Sequence, residues 1–85
     1  MAIDMLYFAW VREKLGRDGE RIDPPASVKT IADLLGWLAA HSPAHADALA
    51  DPRRLRAAID QHFAAIDTPI AGATEIAIFP PVTGG

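Results

Sequence analysis

The chain has 85 residues, of which 22% are charged and 51% hydrophobic, with a formal net charge of -3 and no cysteine. A chain of this length folds as one modest domain, and the composition is typical of a globular protein rather than a disordered one. The negative charge argues against nucleic-acid binding, and the lack of cysteine excludes disulfides, thiolate metal sites and internal thiol chemistry.

The N-terminus gives no sign of a targeting segment. Residues 1–5 lack the positive charge and the continuous apolar run of a signal peptide. No stretch of the sequence approaches the roughly 20 apolar residues that a membrane span needs. The sequence therefore predicts a cytoplasmic protein without a membrane partner.

The first predicted strand covers residues 2–10, where β-forming side chains stand at both odd and even positions. This pattern indicates a central strand that is buried on one face and partly covered on the other. The charged stretch 11–19 is predicted to be a connection, because it ends in glycines. A short second strand is expected near Glu20–Asp23, where two prolines stop it.

The clearest predicted helix begins after Ser27, a plausible N-cap, and continues to about His41. Gly36 within it costs up to about 1 kcal/mol relative to alanine, and close packing is its expected compensation. A further helical turn is predicted over residues 44–50. The apolar stripe of the main helix consists of Val28, Ile31, Leu34, Leu35 and Leu38.

Three short apolar segments follow, and they predict strands over residues 55–59, 63–66 and 75–79. Two strands, a helix and further strands are typical of an α+β fold of the β-grasp, ubiquitin-like class. We expect a mixed sheet of four or five strands with one main helix on one face, and with the first and last strands side by side and parallel. Residues 1–79 are assigned to this domain and residues 80–85 to an extended, flexible tail.

The tail combines a diproline with a terminal glycine pair. Pro80 and Pro81 lack N–H donors and favour extended backbone, so they should end the last strand and direct the chain away from the body. Gly84 and Gly85 have no Cβ and can thread a narrow channel. A terminal Gly-Gly arises by chance in about one chain in 200, and an end that only frays is the ordinary alternative.

Three stretches of the chain resemble one known family. The run Glu75–Gly85 (EIAIFPPVTGG) looks like the C-terminal signature of the small subunits of molybdopterin synthase, which are ubiquitin-like sulfur carriers. Tyr7–Glu13 is similar to the family's first strand and its exit, and Leu55–Gln61 to its third strand and turn. Asp60 departs from the usual Asn, and Gly72–Thr74 replaces an Asp-Gly-Asp type turn, so both loops are predicted to be reshaped.

The resemblance implies that Gly85 is the reactive group. An E1-like activating enzyme, which uses the ATP, would adenylate its carboxylate, and sulfur would then replace AMP to give a thiocarboxylate. The chain would bind no cofactor or metal itself and would act as a non-catalytic, sulfur-donating subunit. Two copies would form a heterotetramer with two large synthase subunits, which hold the pterin precursor. The tail inserted into the large subunit would comprise Pro80, Pro81, Val82, Thr83 and Gly84.

Other candidate residues carry weaker signals. Phe63 and Phe79 match positions that the family uses against its partners, with ordinary core packing as an equal alternative. His41 and His45 have an i, i+4 spacing that suits a metal, but no third ligand is evident. His62 has no nucleophile near it in the sequence, so a surface turn is the preferred interpretation.

Two other functional classes stay open on the sequence. One is a sulfur carrier for thiamine or cysteine synthesis, or a ubiquitin-like modifier that forms isopeptide bonds to lysines. Thr83 before the glycines favours a sulfur carrier for molybdopterin over a protein modifier. The other is a β-grasp binding module whose tail is inert.

Overall fold

The structure is a computed structural model that describes residues 2–81. Its strands form one five-stranded sheet in the order β2-β1-β5-β3-β4. β1 and β5 are parallel neighbours, and the other three pairs are antiparallel. The predicted mixed sheet with adjacent first and last strands is therefore confirmed. The elements are β1 (Ile3–Tyr7), α1 (Ala9–Leu15), β2 (Gly19–Ile22), α2 (Ile31–Ala39), α3 (Pro43–Leu49), a 3-10 turn (Pro52–Arg54), β3 (Arg56–Ile59), β4 (His62–Ala64) and β5 (Glu75–Phe79).

The helices cover one face of the sheet and enclose a single core. Met5 and Tyr7 of β1 and Ile76 and Ile78 of β5 are almost fully buried on that face. Each such side chain contributes about 1.5–3 kcal/mol through burial. The apolar stripe of α2 packs against them with Ile31, Leu34, Leu35 and Leu38.

The first strand ends at Tyr7, and the predicted extension to residue 10 is wrong. A helix, α1, occupies most of the stretch that the sequence indicated as a connection. Val11 and Leu15, one helical turn apart, are its buried residues, so the charged side chains between them are the solvent face of an amphipathic helix. Gly16 ends α1 with a left-handed φ of 72°.

The main helix begins three residues later than predicted. Thr30, not Ser27, is its N-cap: the Asp33 N–H donates to Thr30 Oγ1 at 3.1 Å, and the Thr30 N–H donates to the Asp33 carboxylate at 3.3 Å. This reciprocal capping box satisfies two backbone donors that Ser27 could not satisfy together. The helix ends at Ala39, and the further turn expected over 44–50 is the separate helix α3. No helix within residues 2–81 is long and apolar enough to cross a membrane.

Gly36 is not compensated by close packing, contrary to the sequence-based expectation. It lies in α2, and a Cβ added there would meet nothing within 4 Å. We expect Gly36→Ala to raise the free energy of unfolding by about 1 kcal/mol, because alanine loses less backbone entropy in a helix. Urea denaturation measures the change. A loss of stability would show that the helix depends on glycine for a reason not visible in its surroundings.

Candidate functional site

The sheet face opposite the helices presents an apolar strip to solvent. Along β1, Leu6 and Phe8 alternate with the core residues and so point to this second face. Cross-strand pairing places Ala77 beside Leu6, and Ala58 beside Ala77. The strip thus runs across three adjacent strands, with Leu6 and Ala58 partly exposed and Ala77 between them 9% exposed.

Two phenylalanines form the edge of this strip. Phe63 on β4 is 85% exposed, and Phe79 at the end of β5 is half-buried. Their ring centroids lie 5.9 Å apart with the planes tilted by 56°. Neither belongs to the core cluster, so the core alternative weighed for both residues does not apply. They line a shallow groove of about 420 Å³ together with Arg56, Ala57, Ala64 and Ala65.

Phe8 is a further exposed aromatic residue, which was not predicted as part of the site. Its side chain is 47% exposed, and its N–H donates to the Ile78 carbonyl at 3.2 Å. This bond continues the β1–β5 pairing and sets Phe8 beside Phe79. The signal in the sequence was Asp4: a charged residue on the same parity of β1 as Phe8 marks that face as the open one.

The last strand ends at Phe79, as predicted, and Pro80 and Pro81 follow as half-buried, non-strand residues. The predicted tail positions Val82, Thr83, Gly84 and Gly85 lie outside the described residues. The flexible tail, the reactive role of Gly85 and the division of the chain at residue 79 therefore stay predictions. The apolar groove lies at the point where the chain leaves the sheet.

The two departures from the family pattern contact each other. Asp60 lies in the tight β3–β4 turn with a positive φ of 47°. Its Oδ1 accepts the N–H of Thr74 at 3.1 Å and that of Glu75 at 2.9 Å. Asp60 thereby connects the β3–β4 hairpin to the start of β5. Gly72 has the left-handed φ of 79° in the loop that faces this turn. These contacts lie at the end of β5 remote from the tail.

The histidines occupy structural positions. His45 is buried, its Nε2 donates to the Glu20 carboxylate at 2.8 Å, and its Nδ1 lies 2.8 Å from Ser42 Oγ. His41 packs edge-on against Trp37, with ring centroids 4.4 Å apart. Among residues 2–81, no group of three or more His, Cys, Asp or Glu side chains could hold a metal ion.

Glu20 is the centre of a partly buried polar network. Its carboxylate accepts the Tyr7 hydroxyl at 2.7 Å, His45 Nε2 at 2.8 Å and Arg17 at 2.9 Å. Burial raises the pKa of Glu20, but the hydrogen bonds from His45 and Tyr7 outweigh it and lower the pKa below its ordinary value. Burial, together with the bond to Glu20, raises the pKa of Tyr7 far above the usual range.

We expect Glu20→Gln to destabilise the fold by about 1.5–3 kcal/mol at pH 7, because the network loses its charged acceptor. A lowered folded-state pKa means that the ionised Glu20 stabilises the protein above an unfolded pKa of about 4.3, and that this contribution is lost on acidification. The variant should therefore show a flatter loss of stability between about pH 5 and pH 3. Urea denaturation across pH checks this, with Glu13→Gln on exposed α1 as the matched control. Equal acid sensitivity in both variants would contradict it.

A five-stranded mixed sheet, with a main helix on one face and an open apolar strip on the other, defines a β-grasp, ubiquitin-like protein. The sequence model of the ThiS family matches residues 5–85. The chain belongs to the ThiS family.

The chain is also similar to proteins with known names. The chain is 41% identical over 83 residues to the molybdopterin synthase sulfur carrier subunit of Escherichia coli K12, covering 98% of this chain and 99% of that protein. Among solved structures, SAMP1 from Haloferax volcanii matches with a TM-score of 0.72 and 28% identity over all of both chains. A structure of the H. volcanii small archaeal modifier protein 1 matches with a TM-score of 0.69 and 27% identity, covering 95% of this chain and 98% of that one.

Proposed function

We propose that this chain is the sulfur-carrying small subunit of a molybdopterin synthase. The observation that supports this most is the 41% identity to a molybdopterin synthase sulfur carrier subunit, which extends over 98% of the chain. The chain also ends in Gly84-Gly85 after a diproline, and it contains no cysteine. We therefore propose the carboxylate of Gly85 as the group that carries sulfur.

The chemistry proceeds in two steps at Gly85. An E1-like activating enzyme binds ATP and transfers AMP to the carboxylate, which releases pyrophosphate. The acyl carbon is then open to nucleophilic attack, because AMP is a good leaving group. Hydrosulfide then attacks that carbon and displaces AMP, which leaves a thiocarboxylate. A persulfide donor would instead give an acyl disulfide, which a further thiol must reduce to the thiocarboxylate. The thiocarboxylate is a strong nucleophile at neutral pH, so this chain needs no base of its own and has no complete active site.

The body of the chain provides the docking face. Phe8, Phe63 and Phe79 flank the point where the tail leaves the sheet, and all three are at least partly exposed. Aromatic side chains of this kind are the usual anchors of protein interfaces. We propose that they pack against the large synthase subunit while residues 80–85 enter its active site, where the pterin precursor receives the sulfur. The assembly expected is a heterotetramer.

The structural match to an archaeal modifier protein supports a second candidate, a protein modifier that forms isopeptide bonds to lysines. A pull-down with the tagged chain from its own cells separates the two. The sulfur-carrier proposal predicts one tight, non-covalent partner, the large subunit, which denaturant releases. Recovery of denaturant-resistant, lysine-linked adducts instead of that subunit would support the modifier.

A further inference from the structure

Two arginines near the tail have no acidic partner. Lys14, Arg17, Arg21 and Arg53 each lie within ion-pair distance of a carboxylate. Within residues 2–81, no carboxylate lies at that distance from Arg12, Lys29, Arg54 or Arg56, and of these four Arg56 lines the aromatic groove. The nearby acid, Asp51, is hydrogen-bonded to Arg53 at 3.1 Å.

Neither guanidinium group forms an ion pair within residues 2–81, although the charge of Asp51 attracts Arg54 at longer range. The Arg54 guanidinium carbon lies 5.0 Å from the centre of the Trp10 ring, a cation–π contact. Arg56 Nη1 donates to the Leu55 carbonyl at 2.8 Å. A guanidinium has five N–H donors, so most donors of both residues remain for another molecule.

Arg56 lines the aromatic groove, and Arg54 lies two residues earlier in the chain, against Trp10. Arg56 is the cross-strand neighbour of Phe79 and lines the groove that Phe63 also lines. Arg54 precedes it by two residues, and its partner Trp10 follows the exposed Phe8 by two. The positive charge is thus concentrated where the tail leaves the sheet.

The other end of the same face carries two carboxylates, of which Asp4 is paired with Arg21 at 3.6 Å. Asp4 and Glu75 are cross-strand neighbours there, four residues along the strands from Phe8 and Phe79, which is about 13 Å at the rise of a β-strand. The whole protein has a net charge of -3, so the basic end is a local exception. A partner that places carboxylates opposite the arginines and apolar groups opposite the phenylalanines is complementary to this end of the face.

We propose that Arg54 and Arg56 bind carboxylates on the partner that receives the tail, and that this charge pairing orients the docked chain. The inference rests on the proposed function, because it takes the large molybdopterin synthase subunit as that partner. An acidic protein surface suits the site better than nucleic acid does, since aromatic side chains continue the surface and the chain as a whole is acidic.

The test measures association of the chain with the large subunit from the same organism by stopped-flow fluorescence at several salt concentrations. The double variant Arg54→Gln/Arg56→Gln should associate roughly tenfold more slowly at low salt and show a weaker salt dependence. The control Lys14→Gln/Lys29→Gln has the same change of net charge away from this face and should stay near the unaltered chain. Arg54→Gln alone gives a smaller effect in the same direction and guards against misfolding of the double variant.

Unchanged association of the arginine variant, or an equal loss in the lysine control, would overturn the inference while leaving the proposed function in place. Failure of the unaltered chain to bind the large subunit would instead overturn the proposed function and the inference with it. Binding of a short labelled DNA duplex that only the arginine variant loses would assign the site to nucleic acid and also overturn the inference.

Discussion

Removing Gly85 is expected to abolish sulfur transfer without unfolding the protein. The deletion draws the terminal carboxylate back by about 3.3–3.6 Å, the length of one extended residue. A misplacement of only about 1 Å can reduce a rate 100-fold, so a loss of at least that size is expected. The core lies within residues 3–78, and the free energy of unfolding should not change. Product formation in the reconstituted synthase and urea denaturation measure the two quantities.

Gly36→Ala serves as the control for this deletion, since it alters a glycine that lies on the helix and away from the tail. It should leave sulfur transfer intact. Full activity of the chain without Gly85 would show that the terminal carboxylate does not carry the sulfur. A large loss of stability on deletion would show that the tail is part of the fold.

Replacing Phe63 with alanine is expected to weaken binding to the large subunit while changing the stability of the fold little. Its side chain is 85% exposed, so its removal should change the free energy of unfolding by less than about 1 kcal/mol. If Phe63 anchors the large subunit, truncation should cost about 2 kcal/mol of binding, or roughly 30-fold in Kd. Isothermal titration calorimetry with the large subunit measures the affinity.

His62→Ala is the matched control for this truncation. His62 precedes Phe63 on β4, and its side chain is exposed. Because neighbouring residues of a strand point to opposite faces, His62 lies on the face opposite to Phe63. Its affinity for the large subunit should stay near that of the unaltered chain. An unchanged affinity in Phe63→Ala would place the interface elsewhere on the protein.

Much of the fold could be predicted from the sequence because its strongest patterns are local. The stripe from Ile31 to Leu38 has helical spacing, and Glu75–Phe79 is a short apolar run ended by prolines. Helix α1 was missed because Phe8, Trp10 and Val11 favour strands, and tertiary packing of Val11 and Leu15 overrides that preference. The shift of the N-cap to Thr30 depended on a reciprocal bond with Asp33 that competes with Ser27 for the same role.

The site could be predicted only in part. The sequence identified Phe63 and Phe79 but gave equal weight to core packing, because burial depends on which face the helices cover. Phe8 joins them through the parallel β1–β5 pairing. The sequence predicted that these strands are neighbours but not their register, which decides that Phe8 continues the pairing toward Phe79. The unpaired state of Arg54 and Arg56 likewise depends on where Asp51 and Trp10 lie in space.

The most direct test of the central claim is the intact mass of the chain after incubation with its activating enzyme, ATP and a sulfur donor. Sulfur transport through Gly85 predicts a mass gain equal to the exchange of one oxygen for one sulfur, and fragmentation should place the gain at Gly85. Omitting ATP should prevent it. An unchanged mass with an activating enzyme that is active on its known carrier, or a gain at another residue, would contradict the account.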